Sequence, residues 1–165
     1  MLRTIAVCAG VWLTAVSAFA QAQGDIPAPE RVDPQGVQAW FARYIETDGW
    51  TLIGADSDGL ALGASAGASP MGEGMLLANV RHEYYAPRTV GGHNVRSLQQ
   101  MRLIDCRRRL NRVVSMTVFE RSNLQGAGVR RETPDAEWSA PSPGSLYLAA
   151  LEQMCASAAP SAGGN

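Results

Sequence analysis

Residues 98–120 read LQQMRLIDCRRRLNRVVSMTVFE, with two strand-like runs on either side of a short basic turn. The second run, Leu110–Glu120, alternates apolar and polar residues, as a strand with one buried face does. The first run, Leu98–Cys106, carries apolar residues on both faces, so either both faces are partly covered or a β-bulge re-aims its end. Together the two runs predict neighbouring strands of an antiparallel sheet.

Two helix patterns flank this central stretch. Before it, Asp33 suits an N-cap and Pro34 a first turn, and Pro34–Ile45 carries one apolar stripe with helical spacing. The stripe consists of Val37, Trp40, Phe41, Tyr44 and Ile45. After it, Ser142 and Pro143 predict the start of a second helix. One face of that helix carries Leu148, Leu151 and Cys155.

The remaining patterns predict further strands and two loops. The strands are Trp50–Ala55, Leu60–Ala64, Met75–Tyr85 and Val129–Glu132, and the loops are Gly63–Gly74 and Ala86–Asn94. In Met75–Tyr85, one face carries Leu76, Ala78, Val80 and Tyr84, and the other carries Asn79, Arg81 and Glu83. The order of helix, strands and helix predicts a single α+β domain, an antiparallel β-sheet packed by an N-terminal and a C-terminal helix.

The N-terminus has the features of a secretory signal peptide. Arg3 precedes an apolar run, and residues 18–20 (AFA) fit a cleavage site. We expect 1–20 to be the signal peptide, 21–32 a flexible lead-in, 33–156 the folded domain and 157–165 a disordered tail. The apolar run is only marginally long for a membrane helix, so no transmembrane anchor is expected after processing. Cys8 lies too early in the run for a lipoprotein.

The composition argues against two classes of mechanism. The chain has a formal charge of −1, and removal of Arg3 makes it −2, so no global positive field attracts nucleic acid. All 14 residues counted as lysine or arginine are arginines, which excludes any mechanism that needs a lysine amine. No cofactor-binding pattern is present, and no cofactor is expected.

Cys106 and Cys155 are the two cysteines that remain after cleavage. Because exported domains meet an oxidising compartment, we expect a disulfide between the strand and the C-terminal helix. The alternative is two unpaired buried thiols. A bridge that closes a loop of about 50 residues reduces the entropy of the unfolded chain and contributes roughly 4 kcal/mol to stability.

The order of these features resembles the surface-adhesin protein E family of exported bacterial domains. The matching residues are Ser97-Leu98, Ile104-Asp105-Cys106, Arg109–Val114, Trp138, Pro143-Gly144-Ser145 and Cys155. The resemblance covers the chain well from Asn94 onward and Trp50–Tyr85 more loosely, and the helix at Pro34–Ile45 lies beyond it. It implies a sheet packed on a helix, the same disulfide, and adhesion to host extracellular proteins. It implies no catalytic residue, and a family alone does not determine a function.

Arginines form the clearest candidate binding site. The candidates for anion or partner binding are Arg102, Arg107, Arg108, Arg109 and Arg112, with Arg130 and Arg131 on the next predicted strand. Some of these could converge on one face of an antiparallel sheet, and arginine binds sulfate, phosphate or carboxylate through paired N–H groups. The alternative is a solvated face offset by neighbouring carboxylates. The expected partners are an extracellular protein or an anionic polysaccharide, and nucleic acid is not expected.

Three further patterns resemble catalytic or metal sites without the residues that such sites need. Residues 63–67 (GASAG) match a nucleophile elbow around Ser65, yet a Gly- and Pro-rich segment follows where a helix is required. Residues 56–59 (DSDG) resemble the opening of a calcium loop but fit a hairpin turn. His82 and His93 lie far apart, whereas zinc needs three or four ligands. We expect no catalytic and no metal site.

These features predict an exported, non-enzymatic binding protein, adhesin-like, located in the periplasm or at the cell surface. Its ligand would be a protein or an anionic polysaccharide. The alternative function is a structural component of the periplasmic envelope that acts through dimerisation or through pairing of an exposed sheet edge. A homodimer therefore stays open.

Overall fold

A computed structural model describes residues 26–158. The predicted signal peptide, the start of the lead-in and most of the predicted tail lie outside the described residues. The elements are α1 (Pro34–Tyr44), β1 (Trp50–Ala55), β2 (Gly59–Ala64), β3 (Ser69–Gly72), β4 (Met75–Val90), β5 (His93–Asp105), β6 (Leu110–Phe119), β7 (Gly128–Glu132) and α2 (Leu146–Ala158). This order confirms the predicted α+β class. Within residues 26–158, no helix is long and apolar enough to cross a membrane.

The strands form a seven-stranded antiparallel sheet with the order β1-β2-β4-β5-β6-β7, and β3 pairs with the start of β4. The long hairpin of β4 and β5 forms the centre, with Met75 paired to Asp105 at one end and Val90 to His93 at the other. A β-bulge interrupts the pairing of β5 and β6: Met101 pairs with Ser115 and Arg102 with Val113, so the extra residue, Val114, lies on β6. Strand β5 has no extra residue there, and its residues from Val95 onward are buried or half-buried on both faces, which is the other of the two arrangements that its mixed faces predict.

The two helices cover opposite faces of this sheet. Leu62 of β2 packs with Trp40 of α1. The next residue, Gly63, pairs with Val80 of β4, and Val80 packs with Leu151 of α2. Because successive residues of a strand point to opposite faces, α1 and α2 must lie on opposite sides of the sheet. Both faces of the central strands are therefore at least partly buried.

Helix α1 begins as predicted. The Asp33 carboxylate accepts the backbone N–H of Gly36 at 2.8 Å, and Pro34 occupies the first turn. The apolar stripe faces the sheet, and the indole N–H of Trp40 donates to the carbonyl of Pro27 at 2.6 Å. That bond attaches the segment before the helix to the core. The helix ends one residue earlier than predicted, since Ile45 is already extended.

Two predicted loops and one predicted helix start were wrong. Ser69–Gly72 lies in a predicted loop but forms β3. Ala86–Asn94 is not a loop, because β4 continues to Val90 and β5 starts at His93. Gly91 and Gly92 have φ values of 58° and 84° and form the two-residue turn between these strands.

Helix α2 begins at Leu146, three residues after the predicted start at Pro143. Gly144 has a φ of 75°, which is incompatible with a continuous helix. Ser145 then serves as the cap, because its Oγ accepts the backbone N–H of Leu148 at 3.2 Å.

Candidate functional site

The basic turn, residues 106–109, joins β5 to β6 at one end of the sheet. The carboxylate of Asp105 accepts the backbone N–H of Arg108 at 3.0 Å, a bond that aspartate makes in many tight turns. The N–H of Cys106 donates to the carbonyl of Gly74 at 3.1 Å, which attaches the basic turn to the turn between β3 and β4. The backbone of the basic turn is thus held from both sides.

The predicted disulfide between Cys106 and Cys155 is confirmed, with Cα atoms 5.6 Å apart. It joins the basic turn to α2, whose residue Leu151 is buried one helical turn earlier. The disulfide therefore connects the basic turn to the hydrophobic core. A rigid support of this kind holds exposed side chains in a reproducible position for binding.

Three arginines project from the basic turn, and all three are exposed. They are Arg107, Arg108 and Arg109. Arg109 forms an ion pair with Glu152 of α2, and a guanidinium nitrogen of Arg108 lies 3.9 Å from a carboxylate oxygen of Asp105. Arg107 forms no ion pair with any residue in the described range. Because exposed ion pairs such as that of Arg109 and Glu152 contribute only about 0–1 kcal/mol, a ligand anion can replace Glu152 at small cost.

Arg102 does not reach the surface of the basic turn, since it is only 9% exposed. Its Nε and Nη2 atoms donate to the side-chain oxygen of Gln100 at 3.0 and 2.8 Å, and Nη1 donates to Asn111. The guanidinium lies 4.0 Å from the centre of the Tyr147 ring of α2, a cation–π contact. Burial lowers the pKa of Arg102. This arginine therefore helps to attach α2 to the sheet.

Arg112 lies on the other face of the sheet from Arg102, because it pairs with Leu103. Its guanidinium stacks 5.2 Å from the Trp138 ring and donates to the carbonyl of Pro134 at 3.0 Å. The structure thus brings three of the five candidate arginines together, the three of the basic turn, and separates Arg102 and Arg112 from them. Anion binding by the three stays a prediction.

The two weaker patterns lie in the connections that precede and follow β2. The Ser65 hydroxyl lies 3.0 Å from the Thr51 hydroxyl, and its segment leads into β3, whereas a nucleophile elbow leads into a helix. The Asp56 carboxylate accepts the N–H groups of Asp58 and Gly59 at 2.8 and 3.0 Å. These bonds form the turn between β1 and β2, so the predicted hairpin turn is confirmed.

His82 is a core residue on the α2 face of β4, and 5% of it is exposed. The rings of Tyr84 and Tyr147 lie 4.7 and 6.1 Å from its ring. Among residues 26–158, neither ring nitrogen has a hydrogen-bond partner, and desolvation lowers the pKa of His82 to about 4. In the described part of the chain, no three histidine, cysteine or acidic side chains cluster as metal ligands would.

Sequence reasoning missed a buried ion pair between Arg81 and Glu83, which are 2% and 0% exposed. The Nε atom of Arg81 donates to the carboxylate of Glu83 at 2.7 Å, and Nη1 donates to the carbonyl of Glu46 at 2.7 Å. The alternation of β4 places both residues on the face opposite Val80, and α1 covers that face. The amphipathic pattern of α1 was the sequence signal for this burial, because a helix with an apolar stripe packs on one face of the sheet and covers the side chains there.

Asn123, in the turn after β6, completes this network. Its backbone N–H donates to the carboxylate of Glu83 at 2.9 Å, and its side-chain oxygen accepts from Arg81 at 2.7 Å and from the N–H of Glu46 at 3.0 Å. Its side-chain NH₂ donates to the carbonyl of Tyr44 at 2.9 Å. Desolvation raises the pKa of Glu83 to about 7, against the opposing effect of Arg81. The network thereby fixes the end of α1 against the turn after β6.

Comparison with known proteins gives one family and several solved structures. The family described as "Surface-adhesin protein E" matches residues 50–156, so α1 lies outside the match. A structure of Haemophilus influenzae protein E in crystal form II has a TM-score of 0.52 and 14% identity, and the alignment covers 68% of this chain and 91% of that chain. At this identity the similarity concerns the fold alone.

Two more structures of Haemophilus influenzae protein E are similar to this chain. One has a TM-score of 0.48 and 12% identity over 68% of this chain and 87% of that chain. The other, from a non-typeable strain, has a TM-score of 0.47 and 14% identity over 67% and 78%. No curated protein matches this sequence.

Proposed function

Because the chain belongs to the surface-adhesin protein E family, we propose that it binds an anionic polysaccharide outside the cytoplasm through Arg107, Arg108 and Arg109. The family match covers most of the chain, and the chain is accordingly an exported, adhesin-like protein of the periplasm or cell surface. The identity of the ligand and the role of the three arginines are the proposal.

The observation that carries this proposal is the grouping of three consecutive exposed guanidinium groups on a turn that the disulfide anchors. The side chains of Arg108 and Arg109 are 65% and 60% exposed, so a ligand can approach them directly. Guanidinium groups pair with sulfate and carboxylate through two parallel N–H donors. Adjacent groups of this kind suit a polymer with regularly repeated anions, and an acidic protein surface is the second candidate ligand.

We propose no enzymatic activity for this domain. Ser65, the residue of the nucleophile-like pattern, has only the Thr51 hydroxyl as a side-chain partner among the described residues. Activation of a serine requires a general base within hydrogen-bonding distance. A binding role therefore fits the arrangement better than acyl transfer.

The alternative role, pairing through a sheet edge, has weaker support. The edge strand β7 carries the exposed charged residues Arg130, Arg131 and Glu132. The opposite edge strand, β1, has an irregular register between Leu52 and Gly54. Charged side chains and bulges on edge strands both discourage pairing with another chain.

Retention on immobilised heparin tests the proposed role of the basic turn. We expect the triple variant Arg107→Ser, Arg108→Ser, Arg109→Ser to elute at a lower salt concentration than the wild type. The reason is that each arginine lost removes one charge-assisted contact, which salt weakens by screening. The measurement is the salt concentration at elution from the column.

The matched control is the triple variant Arg31→Ser, Arg130→Ser, Arg131→Ser. It removes the same charge from exposed sites, and two of its arginines also form ion pairs, with Asp33 and Glu132. We expect it to elute like the wild type. If both variants lost the same amount of retention, the change in net charge alone would explain the weaker heparin binding. That result would contradict a specific role for the basic turn.

A further inference from the structure

A cleft of about 430 Å³ lies between the end of α1, the segment before α1 and the turn after β6. Its lining residues are Ile26, Pro27, Arg43, Tyr44, Ile45, Glu46, Arg121, Ser122, Asn123 and Gln125. The volume falls within the range of small-molecule sites, roughly 300–1,000 Å³. The cleft is far from the basic turn, because Ser97 beneath it and Asp105 at the turn are about 26 Å apart along β5.

The wall formed by the turn after β6 is rigidly positioned. Asn123 and Leu124 have φ values of 60° and 56°, which are uncommon for residues other than glycine. Besides the bonds of Asn123 to the buried ion pair, the N–H of Leu124 donates to the Ser97 hydroxyl at 3.0 Å, and that hydroxyl donates to the carbonyl of Arg121 at 2.7 Å. Strained backbone that buried groups hold in this way is characteristic of binding sites.

The two arginines of the cleft are available to a ligand. Within the described residues, neither Arg43 nor Arg121 forms an ion pair. Both residues are exposed, so an anion in the cleft can approach their guanidinium groups.

The lining combines these two arginines with an apolar wall. Ile26, Ile45 and the ring of Tyr44 supply the apolar surface. Glu46, whose carboxylate lies 3.5 Å from the amide nitrogen of Gln125, places one negative charge at the same cleft. That charge disfavours a polyanion but tolerates a ligand with a single carboxylate and a neutral body that donates hydrogen bonds.

We propose that this cleft binds a small organic carboxylate of monosaccharide or amino-acid size. Its carboxylate pairs with Arg43 and Arg121, while its body lies against the apolar wall. This site is separate from the basic turn and goes beyond the proposed polysaccharide binding. The carboxylate could belong to an acidic sugar or to an acylated amino acid.

Titration of the isotope-labelled protein with two carboxylates, monitored by NMR, tests this proposal. The probes are glucuronate and N-acetyl-leucine, and their neutral counterparts are glucose and N-acetyl-leucinamide. We expect one carboxylate to shift the backbone amide signals of Ser122, Asn123 and Gln125, and its neutral counterpart to leave them unchanged. Which carboxylate binds identifies the source of the ligand.

Two variants and one control sharpen the test. We expect Arg43→Gln and Arg121→Gln each to weaken binding by roughly ten-fold or more, because each loses a charged hydrogen bond. Arg131→Gln, an exposed arginine on β7, should bind like the wild type.

Three outcomes would overturn the cleft assignment. They are an absence of shifts with both carboxylates at millimolar concentration, equal binding of the neutral counterparts, and shifts confined to residues 106–109. None of these outcomes affects heparin retention, so the cleft and the basic turn succeed or fail separately.

Discussion

At the scale of single residues, His82 makes the stability of the fold sensitive to acid. Its ordinary pKa of 6.5 falls to about 4 because it is buried without a hydrogen-bond partner. As the pH falls below 6.5, the unfolded chain takes up this proton and the folded chain does not. The stability that the neutral His82 contributes to the fold is thus fully present above pH 6.5 and is lost as the pH falls towards 4.

We expect His82→Leu to remove this sensitivity. Between neutral pH and pH 4, the wild type should lose about 3 kcal/mol more unfolding free energy than the variant does. Urea denaturation at several pH values measures it. Glu83 acts in the opposite direction, since its raised pKa stabilises the fold at low pH and this is lost as the pH rises towards 7. Glu83 is present in both proteins, so its effect cancels when their unfolding free energies are subtracted. If the unfolding free energies of wild type and variant fell in parallel with pH, the role assigned to His82 would be wrong.

The buried pair of Arg81 and Glu83 shows what residue-level reasoning from sequence can and cannot reach. Alternation along β4 correctly separates these two side chains from Ala78 and Val80. The alternation does not show whether the polar face is exposed to solvent or buried, because that depends on where α1 packs. Asn123 lies 40 residues after Glu83 in the chain, so no local pattern connects them.

At the scale of elements, the disulfide determines how firmly α2 is attached. We expect the double variant Cys106→Ser, Cys155→Ser to lose roughly 4 kcal/mol of stability, because the unfolded chain regains the entropy of a 49-residue loop. The midpoint of urea unfolding measures this. Wild type treated with a thiol reductant is the control and should lose the same amount. An unchanged midpoint in both would mean that Arg102, Tyr147 and the core contacts suffice to hold α2.

Elements with local signals were predictable, and elements that depend on partners were not. Helix α1 carries its own cap at Asp33 and its own apolar stripe. Strand β3 has only four residues, all exposed, and exists because it pairs with β4. Pro87, Gly91 and Gly92 led to the prediction of a loop at the far end of the β4–β5 hairpin. Ala86–Thr89 is exposed on both faces in the structure, so no apolar alternation indicates a strand there.

The candidate site divides in the same way. Arg107, Arg108 and Arg109 share a surface because they are consecutive in one turn, and a sequence displays this directly. Arg102 and Arg112 could be judged only with the packing known, because the first is buried under α2 and the second stacks on Trp138. Convergence of arginines from different strands therefore needs the register and the cover of each face.

At the scale of the whole molecule, the arrangement favours contacts with ligands over assembly through the sheet. Both faces of the central strands are covered by helices, and the edge strand β7 is charged. The basic turn follows the end of β5, and the cleft lies over Ser97, about 26 Å away along that strand. One copy of the domain can therefore present both surfaces at once. An adhesin-like protein of this kind must be exposed on the outside of the cell to meet extracellular ligands.

Protease treatment of intact cells tests this exposure. We expect the protein to disappear from cells treated with trypsin, because its arginines in the basic turn and in β7 are exposed and trypsin cleaves after arginine. Detection must be under reducing conditions, since the disulfide would hold together the two parts of a chain cut within residues 107–154. A soluble periplasmic protein from the same cells serves as the control and should survive. Survival of both proteins would place the domain in the periplasm and would redirect the search for its anionic ligand to components of the envelope.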